Sequence, residues 1–75
     1  NDKRLIALTV QLLNKALVAP FMTPAKMVSV AKALHVLRRL PAGGRLRADR
    51  GLIAGLGREP KTAADVYLWI VEEQA

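Results

Sequence analysis

Apolar and polar positions divide the 75-residue chain into four amphipathic segments separated by proline- and glycine-containing breaks. Over residues 2–18, Leu5, Ile6, Leu8, Val10, Leu12, Leu13, Ala16 and Leu17 fill an apolar arc of about 200°. Lys3, Arg4, Gln11, Asn14 and Lys15 share the opposite arc. This pattern predicts a first helix, with Asp2 placed to suit the positive end of its dipole and Pro20 stopping it after Val18.

Thr23-Pro24 is a helix start, because Thr caps free backbone N–H groups and Pro fits the first helical turn. The second helix should run to Arg39, with Met27, Val30, Ala31, Leu34 and Leu37 as its core stripe. Lys32, His35 and Arg39 fall on a different face. Leu40-Pro41-Ala42-Gly43-Gly44 ends it.

Residues 45–61 fit two patterns. One is a short helix from Ala48 to Leu56, stopped at Gly57. The other is a β-hairpin turning at Asp49-Arg50-Gly51, which would form a wing. The helix is favoured by its helical neighbours. Thr62 to Asp65 opens a last helix, with Asp65 in the capping-box position, and Val66 to Val71 is an uninterrupted apolar run. A strand is open to that run on propensity alone, but the Ala-rich start and Glu-Glu-Gln end favour helix. The expected fold is a mostly α single domain, residues 1–75, built as a small bundle of three to four helices.

Composition narrows this picture. Apolar residues make up 52% of the chain and aromatics only 4%, so Leu, Ile, Val and Ala must build the core. A chain this short has little interior, so spare apolar surface is expected to pair with another chain, by default as a homodimer. The apolar last helix is the expected oligomer or partner interface, through Val66, Tyr67, Trp69 and Ile70. With no cysteine, disulfides and thiolate metal sites are ruled out, which fits a cytoplasmic location.

The longest uncharged stretches are about ten residues, whereas a membrane-spanning helix needs roughly 20. Gln11, Asn14 and Lys15 interrupt what would otherwise resemble a signal peptide. The chain does not begin with Met, as expected of a segment trimmed or excised from a longer one.

Charge carries the most functional information. The net charge is +6 and the pI about 10.6, a field that favours polyanions. Arg38, Arg39, Arg45, Arg47, Arg50, Arg58 and Lys61 face only Asp49 and Glu59 within residues 38–61, a balance of +5. Residues 62–75 carry Asp65, Glu72 and Glu73 without a cation, a balance of −3. Arginine's planar fork suits phosphate. Lys32 and His35 join these seven cations as the candidate nucleic-acid-binding residues, with DNA expected ahead of RNA.

Residues 52–66 fit a helix-turn-helix in part, with Gly57 at the turn. Ile53 stands where a small residue is usual and Arg58 where an apolar one is. The supposed recognition helix would also aim Asp65 and Glu72 at phosphate, so residues 62–75 are not expected to read DNA.

Catalytic chemistry is sparsely supplied. One His, one Ser and no Cys give a nucleophilic triad almost no material. No cluster has metal-ligand spacing, and Gly55-Leu56-Gly57-Arg58 is not a phosphate-binding loop motif. Gly51 and Gly55 have the spacing of a close helix contact, a weak signal outside membranes. A non-enzymatic module without metal or cofactor is expected, most simply a DNA-binding regulator acting as a dimer. The alternative is a helical protein-interaction module (adaptor, inhibitor or subunit) docking through its last helix, with the basic segment steering it to an acidic protein surface.

Overall fold

The computed structural model describes residues 2–41 and 43–74; Ala42 and the side chain of Asp2, both used in the sequence reading, lie outside the described residues. Four helices follow in order: α1 (Asp2–Ala16), α2 (Pro24–Arg39), α3 (Arg50–Leu56) and α4 (Ala63–Gln74). The described residues contain no strand, so the mostly α fold predicted from the pattern is the fold observed.

The helix ends follow local chemistry. After α1 the chain tightens through Val18 N–H to Lys15 O and Ala19 N–H to Ala16 O, i→i+3 bonds that close a helix before proline. Thr23 caps α2, its hydroxyl accepting from Lys26 N–H at 3.2 Å, with Pro24 in the first turn. Asp49 caps α3 by accepting from Leu52 N–H at 2.7 Å. Gly57 ends α3 at φ 79°, the left-handed conformation that disfavours side chains. At α4, Asp65 reaches back to Thr62 N–H at 3.0 Å, as its capping-box position predicts.

Residues 45–56 settle on the helical alternative. Arg45, Leu46 and Arg47 alternate exposed, buried, exposed, as a strand would. They find no partner strand, and a single backbone bond from Leu46 N–H to Lys61 O at 2.9 Å pins the segment. Asp49 begins α3 instead of turning a hairpin, because its carboxylate is taken by the Leu52 amide.

α4 packs chiefly on α1, and α2 packs on α1 and α3. Leu5 and Ile6 near the start of α1 share a cleft with Thr62, Ala63 and Ala64 at the start of α4, and with Leu40 after the end of α2. Lys26 at the start of α2 reaches Glu73 at the end of α4, with Nζ to Oε2 at 2.6 Å. Hence α1 and α4 run parallel, and α2 runs opposite to both. Because α3 docks on α2 and α4 on α1, the two do not form the mutually packed pair of a helix-turn-helix.

The core comprises Leu13, Ala16, Val30, Ala33, Leu34, Leu37, Leu46, Leu52, Leu56, Ala63, Val66, Trp69 and Ile70. Two stripes are rotated from the expected ones. In α1 the buried face centres on Thr9, which is fully buried, while Leu8 at the edge of the apolar arc is 41% exposed. The Thr9 hydroxyl is satisfied by Leu5 O at 2.7 Å, which removes the cost of burying it. In α2, Ser29 and Ala33 are buried where Met27 and Ala31 were expected. α3 causes this rotation by covering the Ser29 side of α2.

Candidate nucleic-acid interface

The loop between α2 and α3 returns along α2, so Arg47 arrives beside residues 15 and 12 positions earlier in the chain. Lys32 and His35 of α2, Arg47 and Asp49 of the loop, and Leu52 of α3 line one cleft of about 280 Å³, floored by Ala31, Val36 and Leu52. His35 and Arg47 are exposed and Lys32 is half-buried. The i, i+3 spacing predicted a shared face for Lys32 and His35; the arrival of Arg47 is a tertiary result.

Asp49 is the acid of this cleft; the sequence pattern offered it as a hairpin-turn residue and a counter-charge, not as part of the site. One carboxylate oxygen caps α3 at Leu52 N–H. The other lies 3.4 Å from Lys32 Nζ. The Leu52 amide above all, with the Lys32 ammonium adding to it, holds the Asp49 carboxyl below its ordinary value of 3.8. The signal in the sequence was an Asp three residues before an apolar position, which reads as an N-cap.

The other candidate cations separate into groups. Arg45 and Lys61 are drawn together by the Leu46–Lys61 backbone bond, with both side chains exposed. Arg38 and Arg39 occupy the last turn of α2, where cations suit the negative end of the helix dipole. Arg39 shares the helical face of Lys32 and His35. Arg50 begins α3 and is exposed. Arg58 is paired with Glu72 of α4, Nη2 to Oε2 at 3.2 Å. Among the described residues, the side chains of Arg38, Arg39, Arg45, Arg47 and Arg50 make no ion pair with the protein itself.

The acidic groups of the last helix are largely engaged. Glu73 holds Lys26 and Glu72 holds Arg58. Asp65 accepts from Lys61 N–H at 2.8 Å and Thr62 N–H at 3.0 Å. Those two amides, Lys61 first, keep its carboxyl below 3.8. The polarity read along the sequence is therefore partly neutralised within α4 and left open on the α2–loop side.

The expected interface on α4 requires correction. Val66 and Ile70 are fully buried and Trp69 is 4% exposed within the single chain. They point at α1 because the apolar run Val66–Val71 is long enough to supply both a core face and a surface face. The surface face belongs to Leu68, 50% exposed, and Val71, 40% exposed, with Tyr67 half-buried beside them.

No three His, Cys, Asp or Glu side chains among the described residues are grouped to hold a metal ion. None of the helices is long and apolar enough to cross a membrane, among the described residues. Comparison with protein-family models, curated proteins and solved structures finds no match to this chain.

Proposed function

We propose that this protein is a small basic module that binds nucleic acid through its phosphate backbone, using the face made by α2 and the loop before α3. The observation that carries this reading is the tertiary arrival of Arg47 beside Lys32 and His35. Arg39 on the same face of α2, Arg45 earlier in the loop, and Lys61 of the α3–α4 connection, bonded to the loop at Leu46, extend a cationic track. Such a track positions a polyanion without reading its bases. A DNA-binding regulator is the simplest protein of this kind.

Duplex is favoured over single strand by the aromatic residues. Trp69 is buried, and Phe21 and Tyr67 are half-buried. A sequence-tolerant single-strand site stacks bases on open aromatic faces. Among the described residues no Phe, Tyr or Trp is fully exposed.

The experiment is a fluorescence anisotropy titration of a generic DNA duplex at several salt concentrations, paired with size-exclusion light scattering. A steep linear fall of log affinity with log salt is expected, because neutralising phosphates releases counterions. Undetectable binding at low ionic strength, or binding indifferent to salt, overturns the reading. The second reading, a protein-docking module, draws on Leu68 and Val71, the exposed apolar residues of α4. A stable complex whose affinity is lost in Leu68→Ser and kept in Arg47→Ala favours it.

A further inference from the structure

The cleft beside α2 already contains an anion supplied by the chain. We propose that Lys32, His35 and Arg47 form a seat for one phosphate group, and that the Asp49 carboxylate occupies its Lys32 end in the free protein and yields it when phosphate enters. The inference rests on the nucleic-acid reading for its biological ligand, but the seat itself is testable with inorganic phosphate.

The two oxygens of Asp49 are unequally held. Oδ1 accepts from Leu52 N–H at 2.7 Å, a short bond that starts α3. Oδ2 stands 3.4 Å from Lys32 Nζ, well beyond the roughly 2.7–2.9 Å of a strong charge-assisted bond. Both side chains of that pair are open to solvent, at 40% and 63% exposure. A phosphate oxygen approaching Lys32 therefore displaces only the long, screened contact. The capping bond persists, so the exchange needs no unfolding of α3.

The rest of the seat is ready for an anion. Among the described residues Arg47 makes no ion pair, so its planar fork can take two phosphate oxygens. Exposed His35 lines the same cleft. The floor side chains are apolar and offer no rival acceptor.

Gly51 leaves room for the lysine. A Cβ there would overlap Lys32 Nζ, so the missing side chain lets the ammonium lie over the first turn of α3.

The design has a substitution that separates its two roles. Asn caps a helix about as well as Asp, so Asp49→Asn keeps the bond to Leu52 while removing the competing charge. The test follows backbone amide shifts during titration with inorganic phosphate, for wild type, Asp49→Asn, Lys32→Gln and the double variant. Shifts should centre on residues 32–36 and 47–52. Asp49→Asn should bind about 2–5-fold tighter than wild type, the size of one screened exposed pair. Lys32→Gln should weaken binding, and adding Asp49→Asn to it should recover little.

In a parallel duplex titration, Asp49→Asn should steepen the salt slope by about one counterion. If Asp49→Asn folds as wild type and binds phosphate no tighter, or if the shifts map elsewhere, the proposed seat is wrong. Should Asp49→Asn fold poorly, Asp49→Ser serves as a second capping variant without charge and carries the same expectations. Duplex binding with an unchanged Asp49→Asn overturns the seat alone. The expected phosphate response without duplex binding overturns the nucleic-acid reading alone.

Discussion

Gly55 of α3 lies over Ser29 of α2, so that a Cβ at position 55 would overlap the serine hydroxyl and crowd its Cβ. Ser29 is 4% exposed, and its short side chain has no slack to withdraw. The glycine exists where two helices meet closely, and it lets a seven-residue helix dock on the second helix. Replacing a helical Gly by Ala ordinarily gains about 1 kcal/mol. Here Gly55→Ala should instead lose about 1–3 kcal/mol through overpacking, measured by urea unfolding, and Ser29→Gly in the same chain should restore part of the loss. Gly51→Ala is the contrast: its neighbour is the flexible end of Lys32, which can move, so little stability should be lost.

Trp69 serves the interior of one chain. It is 4% exposed and packs in the core with Val66 and Ile70. Trp69→Ala should therefore cost about 3–5 kcal/mol, a large part of the stability of so small a domain. Leu68→Ser and Val71→Ser, on the outer face of α4, should leave the melting temperature nearly unchanged. Thermal unfolding by circular dichroism separates the two outcomes, and a Trp69→Ala variant as stable as wild type would place the residue outside the core.

Acid should weaken the fold through Asp49 and Asp65. Both carboxyls titrate below their ordinary value of 3.8 in the folded chain, chiefly because backbone N–H groups bond the charged form. A carboxyl lowered by folding contributes stability that is complete above its unfolded value and lost as pH falls through its folded value. Melting temperature should thus be steady at neutral pH and decline below about pH 4. Asp65→Asn should flatten part of that decline, and a decline unchanged in Asp65→Asn and Asp49→Asn would assign it to other carboxyls.

The arginines should differ in their effect on polyanion binding according to their partners. Arg47 has no counter-ion among the described residues, whereas Arg58 is paired with Glu72 at 3.2 Å. Arg47→Ala should weaken duplex binding alike for all sequences and reduce the salt slope by about one. Arg58→Ala should change either quantity less. Equal losses for the two variants would mean that overall charge, and not the α2–loop face, attracts the polyanion.

Much of the architecture is written in local patterns. Pro20, Thr23-Pro24, Gly57 and the Thr62–Asp65 pair mark helix boundaries because each acts on its own backbone within a turn. The apolar arcs of α1 and α4 announce helices that must bury a face, and the charge count places every cation at or before Lys61, with three of the six acids after it. These are properties of near neighbours, and the sequence alone determines them.

The tertiary structure decided which part of each apolar surface is used, and which charges remain open. The run Val66–Val71 has apolar residues all round the helix, so its periodicity did not choose between Trp69 inward and Leu68 inward; α1 made that choice by packing on one side. Thr9 and Ser29 are buried for the same reason, since a small hydroxyl bonded to its own helix is accepted wherever a neighbouring helix lands. Arg47 meets Lys32 and His35 only because Leu46, buried in the core, ties the loop back to Lys61. Arg58 is equally basic in sequence, yet α4 supplies it with Glu72. Sequence fixes how many charges the chain carries; packing decides which have a partner, because charge pairing falls off over a few ångströms that only the fold brings together.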